Sequence, residues 1–466
     1  MLISLSGLFW LWTKATSARY FIQIGLWFGL GFFGVGVSWL MSSMYIYSGM
    51  SMALSLLATF IFILFLSLYF AFAGWVVSLL YQPEKIGLSV ALIMPTVWTF
   101  FELIRASLLG GFPFLMTGNT HLFTWLDGYA PVFGVIGVSF AVSLTAGLLV
   151  WMFLARNWLF PSLLMFTIWF AGLGFKDEPW VEKAGSTVDV ALLQGNVSQD
   201  KKWQPDYFLP TLKTYIGLTK ENMSADVIVW PETAIPAYFD VAQKGVLYSF
   251  LEDAKLLQKD ILLGTITRNK ETGEYFNALV NARDPSMVYE KHHLVPFSEF
   301  FPFSGMFKVL SNLFDIPFSE FSAGTENPQP MELAGKKVGL SICYEMAFGA
   351  ELARNLHDSQ FLITVSNDAW FADTLQPYQQ RQDVQMRALE LGREIVRSTN
   401  TGLTIHAGID GSIVAEIPAY EVGALRAEVQ PYQGQTPFVK WQNKPIWLLL
   451  VLLIGFFSWS KWQKNR

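Results

Sequence analysis

The stretch Leu340-Ser-Ile-Cys-Tyr-Glu345 contains Cys343, the only cysteine among the 466 residues of the chain. An apolar run leads directly into this thiol, and a carboxylate follows two residues later. This pattern predicts a buried strand that ends in a reactive residue at a turn. A lone cysteine cannot form a disulfide within the chain, so a structural cross-link is excluded as its purpose.

Two further segments have the same design as the cysteine segment. Asp226-Val-Ile-Val-Trp-Pro-Glu232 is an apolar strand that ends in Glu232, and Val288-Tyr-Glu-Lys-His-His-Leu-Val-Pro296 carries Lys291. A free thiol has a pKa of about 8.5 and needs a base beside it, and a carboxylate at a buried strand end has the raised pKa that suits a base. A lysine, together with the N–H of Tyr344, can stabilise a developing oxyanion. The three segments therefore predict attack on an ester or amide through a thioester, which a second nucleophile then opens.

Each of these residues also has a structural interpretation. A buried cysteine is usually a small apolar side chain, a Trp-Pro-Glu turn is commonly structural, and a single lysine is commonly solvated. His292 and His293 suggest a metal site, but adjacent residues on a strand point to opposite faces of the sheet. The sequence therefore predicts no metal site, and the proposed chemistry needs no organic cofactor.

The composition indicates a membrane protein with one hydrophilic domain. The chain is 52% hydrophobic and 15% charged, with a mean hydropathy of +0.36, and no charged residue lies between Arg19 and Glu84. A helix needs about 20 residues to cross a bilayer. The predicted spans are 20–42, 52–81, 87–108, 131–155, 157–175 and 445–460. These give a helical bundle over 1–175, a catalytic domain over 187–430 and a C-terminal span over 445–461. Met1–Trp12 is apolar but short, and we interpret it as the end of an incomplete first helix.

The basic residues predict how the chain is oriented in the membrane. They fall on alternate connections between the spans, which the positive-inside rule assigns to the cytoplasm. The catalytic domain is then outside, which in a bacterium means in the periplasm. The net charge of −5 gives no basic footprint for nucleic acid. The residues on which the orientation rests are Lys14, Arg19, Lys85, Arg156, Lys461, Lys464 and Arg466.

Two charged residues in the bundle have two interpretations. Glu102 and Arg105 precede the loop Gly110-Gly-Phe-Pro-Phe114. Charged side chains near lipid are costly and often functional, although an ion pair three residues apart at the interface is an equally good explanation.

Residues 187–430 alternate short apolar strands with helical stretches. Continuous apolar runs suit strands that are buried on both faces, so we expect an α/β sandwich whose loops form the site at one edge. The predicted strands are 187–195, 226–231, 261–267, 276–282, 287–292, 337–343, 361–366, 402–408 and 413–417. The predicted helices are 210–222, 245–258, 345–355 and 377–396.

Taken together, these segments resemble the nitrilase superfamily and, within it, the membrane-embedded apolipoprotein N-acyltransferase family. The resemblance covers nearly the whole chain and includes Gly29–Trp39 and Gly111-Phe-Pro113 in the bundle. That family typically has eight spans, and we expect that this chain lacks the start of the first. The matching stretches in the catalytic domain are Trp230–Pro236, Lys291–Phe300, Ile342–Glu345, Ser366–Phe371, Met386–Glu390 and Arg397–Asn400.

The resemblance implies a fold, a set of roles and a reaction. The fold is a membrane α-helical bundle with an αββα nitrilase-like domain. Glu232 is the general base, Lys291 the oxyanion stabiliser and Cys343 the nucleophile. The reaction takes an acyl chain from the sn-1 position of a phospholipid, expected to be phosphatidylethanolamine. It passes the chain to the N-terminal amine of a diacylated apolipoprotein, and the enzyme is expected to be a monomer without cofactors. The implied supporting or substrate-binding residues are Glu299, Tyr344, Glu345, Trp203, Asn367, Asp368 and Trp370.

Two other classes of function are also compatible with parts of the sequence. A membrane-anchored nitrilase-type amidase has the same three residues, but water or ammonia opens its thioester. A transporter with a periplasmic binding domain predicts more ionisable residues within the spans than this bundle has. The variant Cys343→Ala separates the classes, because it abolishes the acyl-enzyme in either enzyme and leaves a transporter active.

Overall fold

Helices form both ends of the chain, and strands form most of its middle. The structure is a computed structural model, and it describes residues 1–155, 158–300, 320–371 and 373–464. In chain order, the α-helices are α1 (Leu2–Lys14), α2 (Ala18–Gly36), α3 (Trp39–Ile46), α4 (Met52–Leu80), α5 (Ile86–Leu88), α6 (Met94–Ser107), α7 (Ala130–Ala155), α8 (Leu159–Lys176), α9 (Gln199–Lys202), α10 (Pro205–Glu221), α11 (Phe239–Ala242), α12 (Tyr248–Leu256), α13 (Gly349–Asn355), α14 (Gln376–Leu391), α15 (Pro437–Trp441) and α16 (Lys444–Lys464).

The strands lie between the helices of the middle region, and the chain divides into two units. The first unit is Met1–Trp180, Asp373–Gly392 and Gln435–Arg466, and the second is Val181–Ala372 and Arg393–Gly434. The strands are β1 (Glu182–Lys183), β2 (Val188–Gln194), β3 (Val227–Val229), β4 (Asp260–Arg268), β5 (Tyr275–Asn281), β6 (Val288–Glu290), β7 (Met331–Leu333), β8 (Lys336–Ile342), β9 (Phe361–Ser366), β10 (Ile395–Thr399), β11 (Thr404–Ala407), β12 (Ile413–Ile417), β13 (Gly423–Val429) and β14 (Tyr432–Gln433).

The first unit contains the apolar helices that the sequence predicts. Within the described residues, six helical segments are long and apolar enough to cross a membrane. The predicted span 20–42 is too long, because α2 ends at Gly36 and α3 begins at Trp39. The two basic residues Arg156 and Arg466 of the orientation prediction lie outside the described residues. The six segments are Ala18–Gly36, Met52–Leu80, Pro83–Gly110, Trp125–Ala155, Leu159–Lys176 and Lys444–Lys464.

Small residues bring two of these helices close together. A Cβ atom at Gly25 of α2 would lie 2.1 Å from the carbonyl oxygen of Phe70 in α4. A Cβ atom at Gly74 of α4 would lie 2.3 Å from the carbonyl oxygen of Phe21 in α2. Glycine at both positions therefore lets the backbones approach, as is common between helices in lipid.

The two charged residues of α6 are buried and fix the loop that follows the helix. Glu102 accepts hydrogen bonds from the backbone N–H and the hydroxyl of Thr117, at 2.9 and 2.8 Å. Arg105 donates to the carbonyl oxygens of Phe112 and Phe114, at 2.5 and 2.6 Å. In an irregular loop, backbone N–H and C=O groups have no partners from regular secondary structure, and these side chains supply them. The two residues therefore stabilise the conformation of the Gly-Phe-Pro loop.

Helix α14 belongs to the first unit and is shorter than predicted. The predicted helix 377–396 is wrong over its last five residues, because Gly392 adopts a left-handed φ of 61° and β10 begins at Ile395. Near the end of the helix, Glu390 accepts a hydrogen bond of 2.6 Å from the backbone N–H of Val135, next to a break in α7 at Gly134. The carboxylate thus satisfies an N–H at the point where α7 changes direction.

The second unit contains two mixed six-stranded sheets. One has the order β13-β2-β3-β4-β5-β6 and the other the order β12-β11-β10-β9-β8-β7. The central strands β2, β3 and β4 are parallel, and so are β8, β9 and β10. The sequence analysis did not predict several strands, including β10 and β13. Most of the strands that it did predict begin and end within two residues of the observed bounds.

The two sheets pack face to face around an apolar core. Val227 and Val229 of β3 contribute to it from one sheet, and Leu340 and Ile342 of β8 contribute from the other. The outer face of the first sheet packs against α10, α11 and α12. Since β3 and β8 are both buried in this core, the residues that follow them are held firmly in place. The predicted fold class, apolar helices plus a nitrilase-like α/β domain, is confirmed.

Candidate active site

Three predicted catalytic residues follow strands of the two sheets and meet in one buried site. Glu232 comes shortly after β3, Lys291 directly after β6 and Cys343 directly after β8. The Nζ atom of Lys291 lies 3.9 Å from Oε1 of Glu232, and it contacts both oxygens of Glu299 at 2.9 and 2.8 Å. The charges of Glu232 and Lys291 both act on the thiol of Cys343. The structure thus brings together the three predicted catalytic residues and Glu299, the predicted supporting carboxylate.

Cys343 is held in an unusual backbone conformation at the end of β8. Its φ of 55° is left-handed, which is uncommon for a residue other than glycine and costs about 1–3 kcal/mol. Burial, followed by the charge of Glu232, raises the pKa of the thiol to about 12, although Lys291 and a hydrogen bond with Ser366 oppose this change. The thiol is therefore neutral at physiological pH and needs a base to become a nucleophile.

Glu232 is placed to be that base. Burial raises the pKa of its carboxyl group, and the negative charge of nearby Glu299 raises this pKa further. The positive charge of Lys291 lowers it, but the pKa remains above the ordinary value for glutamate. One carboxylate oxygen accepts a 2.7 Å hydrogen bond from the Asn277 amide, and the other accepts a 2.8 Å bond from the backbone N–H of Asn367. Two donors fix the orientation of the carboxylate, while its raised pKa makes it a stronger base than an exposed glutamate.

Lys291 supplies the positive charge of the site. Burial alone lowers the pKa of its amine, but Glu299 and Glu232 outweigh burial and hold the pKa above its ordinary value. Glu299 is itself oriented by the N–H of Val295 at 2.8 Å and by the Asn277 amide at 3.3 Å. A fixed ammonium group beside the thiol can stabilise negative charge that develops on a bound carbonyl oxygen.

Glu345 joins the segment after β8 to the segment after β6. Its carboxylate accepts hydrogen bonds from the N–H of Ile342 at 2.7 Å, from the hydroxyl of Tyr289 at 2.8 Å and from the N–H of His292 at 2.8 Å. Burial raises the pKa of Glu345, but a hydrogen bond with the His292 imidazole at 3.3 Å, the bonds from Ile342 and Tyr289 and the charge of Lys291 outweigh burial and lower the pKa. Glu345 therefore stays ionised and fixes the cysteine turn against the lysine segment.

The remaining predicted residues lie around this centre. The ring of Tyr344 packs edge-on against Phe348, with centroids 4.9 Å apart. Asn367 donates from its amide to the side chain of Gln199 at 2.8 Å. Trp203 and Trp370 have exposed fractions of 50% and 37%, so part of each side chain lies at the surface.

Asp368 makes a buried ion pair. Both of its carboxylate oxygens accept hydrogen bonds of 2.9 Å from Arg397 of β10, and one of them accepts a bond of 2.6 Å from the hydroxyl of Ser366. Its carboxylate is therefore engaged in holding β9 and β10 together, which is a structural task at the edge of the site.

The two adjacent histidines converge on one carboxylate. Nδ1 of His293 lies 2.9 Å from Glu351, and Nε2 of His292 lies 3.4 Å from it. The argument that they point to opposite faces was wrong, because β6 ends at Glu290 and both residues follow it in a loop. Their nitrogen atoms and the carboxylate could hold a metal ion, but hydrogen bonds between imidazole and carboxylate account for the same geometry. The absence of a metal stays a prediction.

Sequence reasoning missed two residues that touch the proposed base. Asn277 donates to Glu232 and lies in the middle of an otherwise apolar part of β5, and an amide in such a place must be hydrogen-bonded. That signal was available in the sequence. Lys202, a buried residue, contacts the backbone of Glu232, but it lies in a polar stretch that gives no sign of burial.

The two sheets and the glutamate, lysine and cysteine at their edge define the class of the protein, a carbon–nitrogen hydrolase-type enzyme. The sequence model of the carbon–nitrogen hydrolase family matches residues 189–437. The model of the apolipoprotein N-acyltransferase N-terminal domain matches residues 1–148. The chain belongs to the apolipoprotein N-acyltransferase family.

Relatives that match over nearly the full length support this assignment. An apolipoprotein N-acyltransferase from Methylococcus capsulatus is 36% identical, and the match covers 97% of this chain and 90% of the relative. Another from Nitrosomonas europaea is 34% identical over 100% of this chain and 93% of the relative. The predictions of the family, of a membrane protein and of an acyltransferase are thus confirmed. The roles of the individual residues stay predictions.

Proposed function

We propose that this chain transfers an acyl chain from a phospholipid to the N-terminal amine of an apolipoprotein, through a thioester on Cys343. The observation that carries the proposal is the electrostatic arrangement of the site. A protonated lysine lies between two carboxylates, beside a partly buried thiol whose raised pKa keeps it neutral. This arrangement supports a nucleophile that is activated only when a base removes its proton.

In the first half-reaction, Cys343 takes the acyl group. Glu232 accepts the thiol proton while Sγ attacks the ester carbonyl, and the negative charge on the carbonyl oxygen is stabilised by Lys291 and the N–H of Tyr344. Collapse of this intermediate breaks the bond to the sn-1 oxygen of the lipid. Glu232 returns the proton to that oxygen, so that a lysophospholipid leaves and the acyl group stays on Sγ.

In the second half-reaction, an amine opens the thioester. The α-amine of the diacylglyceryl cysteine attacks the thioester carbonyl, and Glu232 accepts the proton that this nitrogen loses. Cys343 leaves as a thiolate, regains a proton from Glu232, and the product is an amide. The same base and the same lysine thus serve both steps, so no metal or organic cofactor is required.

The cellular setting is also a proposal. The donor is proposed to be phosphatidylethanolamine, the chain a monomer, and the catalytic domain on the periplasmic side of the inner membrane. The distribution of basic residues supports this orientation. Donor and acceptor are both anchored in lipid and cannot diffuse to a soluble enzyme, which gives a reason for the bundle. Trp203 and Trp370, both partly exposed, are proposed to contact the substrates.

The mass of the intact protein after incubation with phosphatidylethanolamine tests the proposal. We expect a gain of one fatty acyl group in place of one hydrogen atom, and no gain in Cys343→Ala. A diacylated lipopeptide should discharge the adduct and appear as the triacylated product. If water or ammonia discharges the adduct and the lipopeptide does not, the chain is an amidase. If a folded protein forms no adduct at all, the proposed donor is wrong.

A further inference from the structure

Lys202 is a second buried lysine near Glu232, and the mechanism above does not use it. Its side chain is only 2% exposed. Nζ donates to the carbonyl oxygen of Glu232 at 3.1 Å and to the hydroxyl of Thr233 at 2.7 Å. Both of these acceptors are uncharged oxygens, and a buried ammonium group is costly without a charged partner.

The lysine supports a turn that is itself strained. Thr233 adopts a left-handed φ of 47°, which is rare for a β-branched residue. The bonds from Lys202 reach the residue that carries the proposed base and the residue after it. They bind the backbone oxygen of Glu232 and the Thr233 hydroxyl, whereas the Asn277 amide and the N–H of Asn367 bind the Glu232 carboxylate.

The short helix α9 contacts the base by a second route. Gln199, at its other end, is 5% exposed and accepts a hydrogen bond of 2.8 Å from the Asn367 amide. The backbone N–H of Asn367 in turn donates to Glu232. Both ends of α9 are therefore connected to the base, and the next residue along the chain is the half-exposed Trp203.

We propose that Lys202 is a positioning residue, which fixes the Glu232–Thr233 turn and, through its positive charge, keeps Glu232 in the carboxylate form. This inference rests on the proposed role of Glu232 as the base. Lys202 acts through the turn, because its hydrogen bonds go to the backbone oxygen of Glu232 and the hydroxyl of Thr233 and not to the carboxylate.

The electrostatics agree with this role. Burial lowers the pKa of Lys202 to about 7, although the charge of Glu232 opposes the change. In return, the charge of Lys202 lowers the pKa of Glu232. The other charged groups that act on Glu232 are Lys291 and Glu299. Loss of the Lys202 charge should therefore raise the pKa of the base.

The single cysteine allows a direct test in the full-length protein. The rate at which iodoacetamide alkylates Cys343 is measured by intact mass at a series of pH values, with no lipid substrate. For Lys202→Met, we expect the acid limb of the profile to move to higher pH by about one unit. Lys202→Gln, which keeps a hydrogen-bond donor but not the charge, should move it in the same direction. The matched control is Lys259→Met, because Lys259 also donates to a backbone carbonyl, that of Ala225, but lies outside the site.

The outcomes separate this inference from the function on which it rests. A rate that falls by the same factor at every pH in Lys202→Met means a merely structural lysine and overturns the proposal, as does an unchanged profile. If Glu232→Gln removes the acid limb and the Lys202 variants do not move it, only the role of Lys202 fails. If Glu232→Gln leaves the profile unchanged, Glu232 is not the base and both proposals fail.

Discussion

At the scale of single residues, the site combines a neutral thiol with a carboxylate whose pKa is raised. Glu232 must lose its proton before it can act, so the reaction slows when the pH falls through the pKa of this group. Because burial raises that pKa, we expect the midpoint of the acid limb to lie above the ordinary value of about 4.3.

A pH series of thioester formation checks this prediction. The rate should rise through the acid limb and stay high into the basic range, because Lys291 keeps its proton there. The control is Glu232→Gln, which should lack the limb. A midpoint at or below about pH 4 would contradict a buried base.

Asn277 gives a second prediction at this scale. Its amide donates to Glu232 and Glu299 at once, so Asn277→Ala leaves both carboxylates with one donor fewer. An unsatisfied buried group costs about 1–3 kcal/mol, and the same change in the activation free energy would slow the reaction by about 5- to 160-fold.

A matched control lies in the same strand. Asn281 donates to Asp260 at 2.8 Å, away from the site. Asn281→Ala should lower the thermal midpoint while the rate of thioester formation in the remaining folded protein stays near that of the wild type. Equal rate losses in the two variants would mean that Asn277 matters only for folding.

At the scale of elements, two glycines in helical surroundings should respond to alanine in opposite ways. Gly392 ends α14 with a φ of 61°, which costs a residue with a Cβ about 1 kcal/mol or more. Gly217 lies inside α10, and a Cβ atom at this position would have no neighbouring atom within 4 Å. Alanine at Gly217 should therefore stabilise the fold by about 0.5–1 kcal/mol.

The thermal unfolding midpoints of the two glycine variants, measured for the full-length protein in detergent, test this prediction. The midpoint of Gly217→Ala should lie above that of the wild type, and the midpoint of Gly392→Ala should lie below it. The opposite order would mean that the end of α14 does not depend on the left-handed residue.

The sequence revealed those elements whose interactions are local. The strands before Glu232 and Cys343 are continuous apolar runs, because they are buried on both faces, and they end at turn residues. The strand Ile395-Val-Arg-Ser-Thr399 looks polar, and its buried Arg397 forms an ion pair with Asp368. That pairing joins residues far apart in the chain, so a local pattern does not show it. The convergence of the histidines on Glu351 was missed for the same reason.

At the scale of the whole molecule, the orientation of the chain in the membrane can be tested with cysteines. In the Cys343→Ala background the protein has no thiol, so each added cysteine reports one position. Thr272→Cys places a thiol on an exposed turn of the catalytic domain, and Lys85→Cys places one on an exposed connection between spans. The distribution of basic residues predicts that these two positions lie on opposite sides of the membrane.

A thiol reagent that cannot cross the membrane should label Thr272→Cys in cells with a permeable outer membrane and an intact inner membrane. Lys85→Cys should be labelled only after the inner membrane is opened. The reverse pattern would place the catalytic domain in the cytoplasm, and labelling of both positions in intact cells would mean that the membrane is not a barrier in the experiment.

The partly buried thiol of Cys343, whose raised pKa keeps it protonated, has a consequence for how the protein reacts with oxidants. Peroxides and disulfides react with thiolates, and they react slowly with neutral thiols. A lone thiol with a pKa of about 12 therefore reacts slowly unless a base takes its proton. With Glu232 as the proposed base, the thiol reacts only in the fraction of time in which this carboxylate holds its proton. In the periplasm proposed for the catalytic domain, where most cysteines are oxidised, this protonated state would protect the unpaired cysteine.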